Sequence, residues 1–433
     1  MRRCALLVTA ALAAALAAQE AAKQEVEPKR LLVAALDGDG KDAWTGYAVS
    51  DTLAWRLKRA LKEGVVYDYE VLLVGLQRGL LRYAELNKET SARKLLEVTP
   101  AAYLLTGRVK SDDGKVKVDL ALWRKDGESL KKRERHVEAE SGDWEKAADA
   151  VSAAAADLLG WKLDRSALKG LTVSAAAFVD YGRMLRAKRD PETYAEAGET
   201  AAKLIRSGER GAAALYHAGW LYATRAGSVG DVEARIKLMD AAKKAFGAAG
   251  RKLAGTAGVQ PYVARALNSL GLMHYAEEEP GDAERYFTLA VRADPRLAEA
   301  HHNLANVRRQ LGKLDKALQA GAVAYRLMPE AGICIDMGAV FMDMMDRAVE
   351  AKDEARKKES LMKAETWFRR AVSHDEDSLG AHQWLALVLD IQGRPKEALP
   401  HYRRYKQLGG ADDTTLDRLD ELEEKFGSDG EKK

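Results

Sequence analysis

The sequence predicts an α/β domain built on a mixed sheet, followed by an all-α solenoid of stacked helical hairpins. Three observations lead there. Between residues 29 and 162, short apolar runs alternate with amphipathic stretches and include an Asp-Gly turn flanked by period-two segments. From about residue 175 onward a pattern of small and large apolar residues recurs, and Pro295 and Pro329 stand 34 residues apart within it. Ala is abundant and only 9 prolines occur in 433 residues, which leaves room for long uninterrupted helices.

Residues 1–18, MRRCALLVTAALAAALAA, place Arg2 and Arg3 ahead of an apolar stretch and offer Ala15-Leu16-Ala17 as a small-residue cleavage site. This is the layout of a secretory signal peptide, and the apolar run is too short for a permanent span. The mature chain is therefore expected in the periplasm or secreted from a bacterial cell, and not as an integral membrane protein. Its one cysteine would be Cys334, which rules out an internal disulfide and reads as a structural thiol. The formal charge of +3 includes the two leader arginines, so the mature chain is nearly neutral. That balance gives no reason to expect a nucleic acid or an anionic membrane as partner.

Residues 30–36, RLLVAAL, suit a buried strand, and DGDGKD (37–42) breaks it. Val49, Leu53, Leu57 and Leu61 then recur every fourth residue, one face of a helix over 46–61 that Gly64 ends. The apolar run 65–76 reads as a strand with an adjoining turn or helix start. Residues 92–97 read as a helix stopped by Thr99 and Pro100. A strand over 102–109 leads into Ser111-Asp112-Asp113-Gly114, after which Val116, Val118, Leu120 and Leu122 alternate with polar residues. Alternation around Asp-Gly marks a half-buried hairpin. Residues 125–128 turn again, 129–139 return as a strand, and Trp144–Leu159 forms a closing Ala-rich helix. The order β-α-β-α-β-β-β-α implies one mixed sheet with helices on its faces.

The first strand, the amphipathic helix, the segment AYLLTGRVKSDDGKVKVDLALW and the closing helix together resemble the TolB amino-terminal-like domain, related to the CsgG-type secretion proteins. The resemblance covers residues 29–162. It implies an envelope-located interaction domain, often joined to helical repeats, with no catalytic residues to carry over. It also raises the alternative of an accessory subunit of an outer-membrane secretion or assembly machine.

In the second half, Leu267, Leu270, Gly271, Ala283, Phe287, Ala290 and Pro295 hold positions 4, 7, 8, 20, 24, 27 and 32 of a unit spanning 264–297. His301, Leu304, Ala305, Ala317, Gly321, Ala324 and Pro329 hold the same positions in 298–331. Small residues at 8 and 20 let the two helices of a unit approach, large residues at 4, 7 and 24 fill the gap to the next unit, and proline at 32 stops the second helix. A third unit, 332–378, has Gly338-Ala339 and then Ala364, Phe368 and Ala371 after an insertion. The inserted run 346–358 is charged and helix-prone, so longer helices are expected there. A fourth unit, 379–410, carries Leu385-Ala386, Ala398, Tyr402 and Tyr405, with Pro395 opening its second helix. Upstream, Leu215, Ala218-Gly219 and Tyr222 pair with Ala242, Phe246 and Ala249, and Phe178, Tyr181-Gly182 and Ala195 read as a degenerate first unit. The repeats thus occupy 175–410, an amphipathic helix at 411–426 is placed to cap them, and 427–433 is a tail.

This pattern resembles the tetratricopeptide repeat. The resemblance implies a concave surface that binds peptides and protein segments, with positions 2, 5, 9 and 12 of each first helix facing it. Here those positions include Tyr216, Trp220, Asn268, Leu272, Tyr275, His302, Asn306, Arg309, Asp336, Val340, Asp343, Gln383, Leu387 and Asp390. The row runs from aromatic through polar to acidic and lacks a consistent set of Lys and Arg. The implied role is a protein–protein interaction scaffold.

No catalytic residue, cofactor or metal is expected. DGDGKDAWTGYA (37–48) begins like a calcium loop but has Lys41, Asp42 and Ala48 at key places. No phosphate loop, G-x-S-x-G elbow or H-E-x-x-H helix occurs. His301 and His302 would point about 100° apart on a helix, so they cannot share one metal. Glu277-Glu278-Glu279 reads as a solvated charge run in a turn.

Overall fold

In the computed structural model a mixed sheet stands at the start of a long helical stack. The structure describes residues 29–34, 36–38, 43–61, 64–68, 88–112, 115–127, 129–140, 143–188, 191–209, 211–253 and 258–426. The expected leader (1–18), the tail (427–433), most of the 37–42 loop and the far part of the 65–76 run lie outside the described residues.

The sheet comprises β1 (Arg30–Val33), β2 (Asp37–Gly38), β3 (Val65–Asp68), β4 (Tyr103–Asp112), β5 (Lys115–Asp126) and β6 (Ser129–Glu140). The strand order is β3-β1-β4-β5-β6, with β2 on β4. β1 runs parallel to both β3 and β4, while β4, β5 and β6 form an antiparallel meander. Parallel neighbours need crossovers, and helices α1 (Ala43–Ala60) and α2 (Glu89–Val98) lie in those connections. The pleat sorts side chains between two cores. Leu31, Val33 and Leu105 join Val49, Leu53 and Leu57 of α1, whereas Leu32, Leu104 and Trp123 join Leu95 and Leu96 of α2. Helix α3 (Trp144–Leu159) is capped at its start by the Asp143 side chain, which accepts from Lys146 N, and ends at Gly160 in the left-handed region.

The chain then forms helix pairs: α4 (Phe178–Ala187) with α5 (Tyr194–Arg206), α6 (Ala212–Ser228) with α7 (Val232–Gly250), and α8 (Pro261–Ala276) with α9 (Pro280–Ala293). There follow α10 (Ala298–Gln310) with α11 (Leu314–Leu327), α12 (Ala331–Glu350) with α13 (Glu354–His374), and α14 (Leu379–Ile391) with α15 (Pro395–Gln407). Helix α16 (Asp413–Phe426) stands last and buries Leu419 and Leu422 against the preceding pair. The insertion in the third unit lengthens both its helices, to 20 and 21 residues.

The repeat positions have the physical roles their chemistry suggests. A Cβ added at Gly219 or Gly271 would stand 2.7 or 2.6 Å from the ring of Phe246 or Phe287, and Gly338 meets Phe368 in the same way. Glycine on the first helix therefore seats a phenylalanine from the second. Each of these rings is at most 2% exposed, and truncating such a side chain costs about 3–5 kcal/mol.

The sheet and the helices also pack on each other. One buried cluster runs from Leu31 of β1 through Leu53 of α1 and Tyr181 of α4 to Ala300 of α10. Gly182 of α4 permits this approach, since a Cβ there would stand 2.6 Å from the Trp44 ring of α1. The connecting segment is fixed as well. Asp164 N donates to Ala60 O, Leu163 bridges to Leu61, and Thr172 bonds Thr52.

Candidate functional site

The first helices of successive pairs stack side by side, and their facing residues form a ladder. His302 Nε2 lies 2.5 Å from Asp336 Oδ2, and Asn306 Nδ2 donates to the same oxygen at 2.9 Å. Burial pushes the Asp336 carboxyl upward, but the bonds from His302 and Asn306 outweigh it and hold the group below the usual carboxylate range. Asn303 Nδ2 donates to Asn268 Oδ1 at 3.0 Å, and Arg309 pairs with Asp343 at 3.4 Å. At the far end α16 takes the place of the next first helix. Arg418 grips Asp390 with bonds of 2.6 and 2.9 Å, and Gln383 donates to Thr415. Asn268, His302, Asn306, Arg309, Asp336, Asp343, Gln383 and Asp390 are thus tied to a neighbouring helix while staying partly exposed.

The apolar members of the row divide. Leu272 and Tyr275 on α8 are 45% and 42% exposed, and Leu387 on α14 is 38% exposed. Trp220 is half-buried, with Lys188 Nζ 4.1 Å from its ring centre and Tyr194 packed edge-on. Tyr216 and Val340 belong to the core instead of an open surface. Tyr216 is enclosed by His217, Phe246 and Tyr262, with Lys188 over its ring. Val340 packs on Leu314 and Ala317 of the preceding pair, where an apolar side chain gains more by leaving water than by lining a groove.

A second polar constellation, unforeseen in the sequence, joins the sheet domain to the helices. Asp51 of α1 is 3% exposed and accepts bonds from Tyr181 Oη at 2.7 Å and from Tyr262 Oη. Burial, then the Asp51 charge, push the Tyr262 hydroxyl well above its ordinary range, so it stays a donor. Asp68 at the end of β3 is 4% exposed and receives Lys58 Nζ and Arg265 Nη2, each at 2.6 Å. Arg296 donates to the carbonyls of Lys58 and Leu61 at the end of α1. Tyr67 Oη donates to Leu327 O at 2.6 Å and Arg30 Nη2 to Arg326 O at 3.1 Å. These bonds pin the sheet to α4, α8 and α11. The signal available in the sequence was Asp51, a carboxylate on the helix that carries Val49, Leu53 and Leu57.

His274, Glu277 and Glu279 come together in the turn between α8 and α9. Glu279 lies 2.6 Å from His274 Nδ1, and Glu277 is engaged by Lys243 at 2.6 Å. The two glutamates are exposed, and each already has a partner within the chain. Cys334 is buried, and that burial pushes its thiol up to about 12, which keeps it protonated. Among the described residues no helix is long and apolar enough to cross a membrane.

No family model and no curated protein matches the chain. Solved helical-repeat structures are similar over part of it. MamA is 19% identical over 42% of this chain and 96% of its own, with a TM-score of 0.33. A thermophilic TPR protein of Thermus thermophilus is 22% identical over 38% of this chain and 83% of its own, with a TM-score of 0.32. PilF of Pseudomonas aeruginosa is 18% identical over 50% of this chain and 85% of its own, with a TM-score of 0.39. At these scores the likenesses are partial, and what each of those proteins does remains its own property.

Proposed function

We propose that this chain is an exported interaction scaffold of the bacterial envelope that holds a segment of another protein along the first helices of its repeats. The observation that carries the reading is the pair Leu272 and Tyr275. These side chains remain 45% and 42% exposed on the stacked face, beside a ladder of side-chain hydrogen bonds between neighbouring first helices. Exposed apolar side chains flanked by fixed polar groups are the composition of a binding surface, and such surfaces draw most of their affinity from a few anchors. The α/β half is read as a TolB amino-terminal-like domain on its sequence resemblance alone. Export rests on the leader-like residues 1–18.

Because the sheet shares its core with α4 to α10, removing residues 29–162 would strip the helices of packing as well as of a surface. Point changes are the cleaner test. Leu272→Glu with Tyr275→Glu should leave the far-ultraviolet spectrum unchanged, since both side chains are exposed. The pair should abolish retention of the envelope protein that the wild-type chain captures from a cell-envelope extract. Capture of the same partner by both chains would sink the proposal. Export is checked by fractionating cells that carry the chain with and without residues 1–18.

A further inference from the structure

We propose that the outer edge of β6 takes up an extended acidic segment of another protein as an added antiparallel strand. β6 spans Ser129–Glu140, 12 residues, and ends the sheet. At about 3.3 Å per residue its edge is roughly 40 Å long. Its pairing with β5 is one-to-one from Ser129 to Glu140, with no bulge, and the strand contains no proline. Among the described residues no strand pairs with its other side, so every second residue turns its backbone N–H and C=O outward.

The side chains indicate what that edge would accept. Of the residues on β6 only Val137 is buried. Lys131, Arg133 and Arg135 follow one another on one face of the pleat and are exposed; Lys131 is paired with Asp126 of β5, while Arg133 forms no ion pair among the described residues, so the face keeps an excess of positive charge. Arg124, opposite Lys131 on β5, extends this basic row. The opposite face is already balanced: Glu138 pairs with Lys115, His136 with Asp119 at 2.7 Å, and Glu134 with Lys132 at 2.5 Å. Charges on an edge strand also deter unwanted pairing, but deterrence does not require one face to be basic and the other neutral. An incoming strand with acids at alternate positions would meet Lys131, Arg133 and Arg135 in turn, while its backbone completes the ladder. A second copy fits less well. In the two-fold register that opposes Lys132 to Glu138, Arg135 faces its own symmetry mate.

The test uses the full chain and a labelled synthetic peptide that alternates Glu and Val over the length of β6, read by fluorescence anisotropy. Binding is expected. Methylating every second backbone nitrogen of the peptide, and separately changing Lys131, Arg133 and Arg135 together to Glu, should each weaken it at least about tenfold. Equal binding of the methylated peptide would mean attraction by charge alone and would overturn the added-strand assignment, as would no binding of the parent peptide. Sedimentation showing a dimer of the wild type that the triple variant loses would assign the edge to a second copy instead. All three side chains are exposed, so the circular dichroism of the variant should match the wild type. None of these outcomes depends on Leu272 or Tyr275.

Discussion

Replacing Asp68 by Asn tests whether the sheet and the helices form one folded unit. The carboxylate is 4% exposed, and its Oδ2 meets both Lys58 Nζ and Arg265 Nη2 at 2.6 Å. Asn keeps the shape and removes the charge. Lys58 and Arg265, each with a side chain 12% exposed, then lose the negative charge of Asp68 between them. Breaking a buried pair from one side costs about 3–5 kcal/mol, and a loss in that range is expected here. The pH dependence has a defined sign. Burial raises the Asp68 carboxyl, but Arg265 and Lys58 outweigh it and hold it below the usual range. A carboxyl lowered in the folded state stabilises fully above its unfolded value of about 3.9 and loses that contribution as pH falls through the folded value. The gap between wild type and variant should therefore be full at pH 7 and narrow below about pH 4. The assay is urea unfolding followed by far-ultraviolet ellipticity and tryptophan fluorescence, at pH 7 and then in a series down to pH 3. A loss under about 1 kcal/mol at pH 7, or a gap that does not change with pH, would refute the buried-triad reasoning. Replacing Asp68 by Leu together with Lys58 and Arg265 by Met should restore much of the stability, because well-packed apolar side chains substitute for a buried ion cluster.

Gly271→Ala should destabilise the third helix pair by about 1–3 kcal/mol, although Ala is the better helix former, because its Cβ would stand 2.6 Å from Phe287. Phe287→Leu in the same chain should relieve part of that loss, and a double-mutant cycle showing simple additivity would argue against the contact. His401 is lowered from 6.5 by burial and then by the neighbouring His382, whose Nδ1 stands 3.0 Å away. A lowered histidine loses stability as pH falls from its unfolded value toward its folded one. The melting temperature should therefore drop between pH 7.5 and 5.5 by more in the wild type than in His401→Asn, and equal drops would dismiss the pair as a source of acid sensitivity.

Much of the local structure was legible. The helix Trp144–Leu159, the hairpin around Asp112, the small residues where two helices of a pair approach and the lengthened helices of the third unit all follow from periodicity and from residue size, whereas the seating of each phenylalanine on the glycine of its own pair was not foreseen. The open or closed state of the predicted row was not. Leu272 and Tyr216 look alike as large residues on a first helix, yet one is 45% exposed and the other 7%. What covers Tyr216 is Lys188 at the end of α4 and Tyr262 on α8, each more than a turn of sequence away.

The sequence by itself determined most of the helices and strands, though not β2 inside the run read as a break, and the small positions at which each helix pair closes. Those depend on contacts between residues a few positions apart, or one repeat apart, where period and side-chain volume carry the information. Only the tertiary structure decided that α1 and β3 seat against α4 and α8. That join rests on Asp51 meeting Tyr262 across 211 residues and on Asp68 meeting Arg265 across 197. A buried carboxylate is tolerable only where its partners arrive, and the meeting of such distant groups is set by how whole elements pack, which no local pattern records.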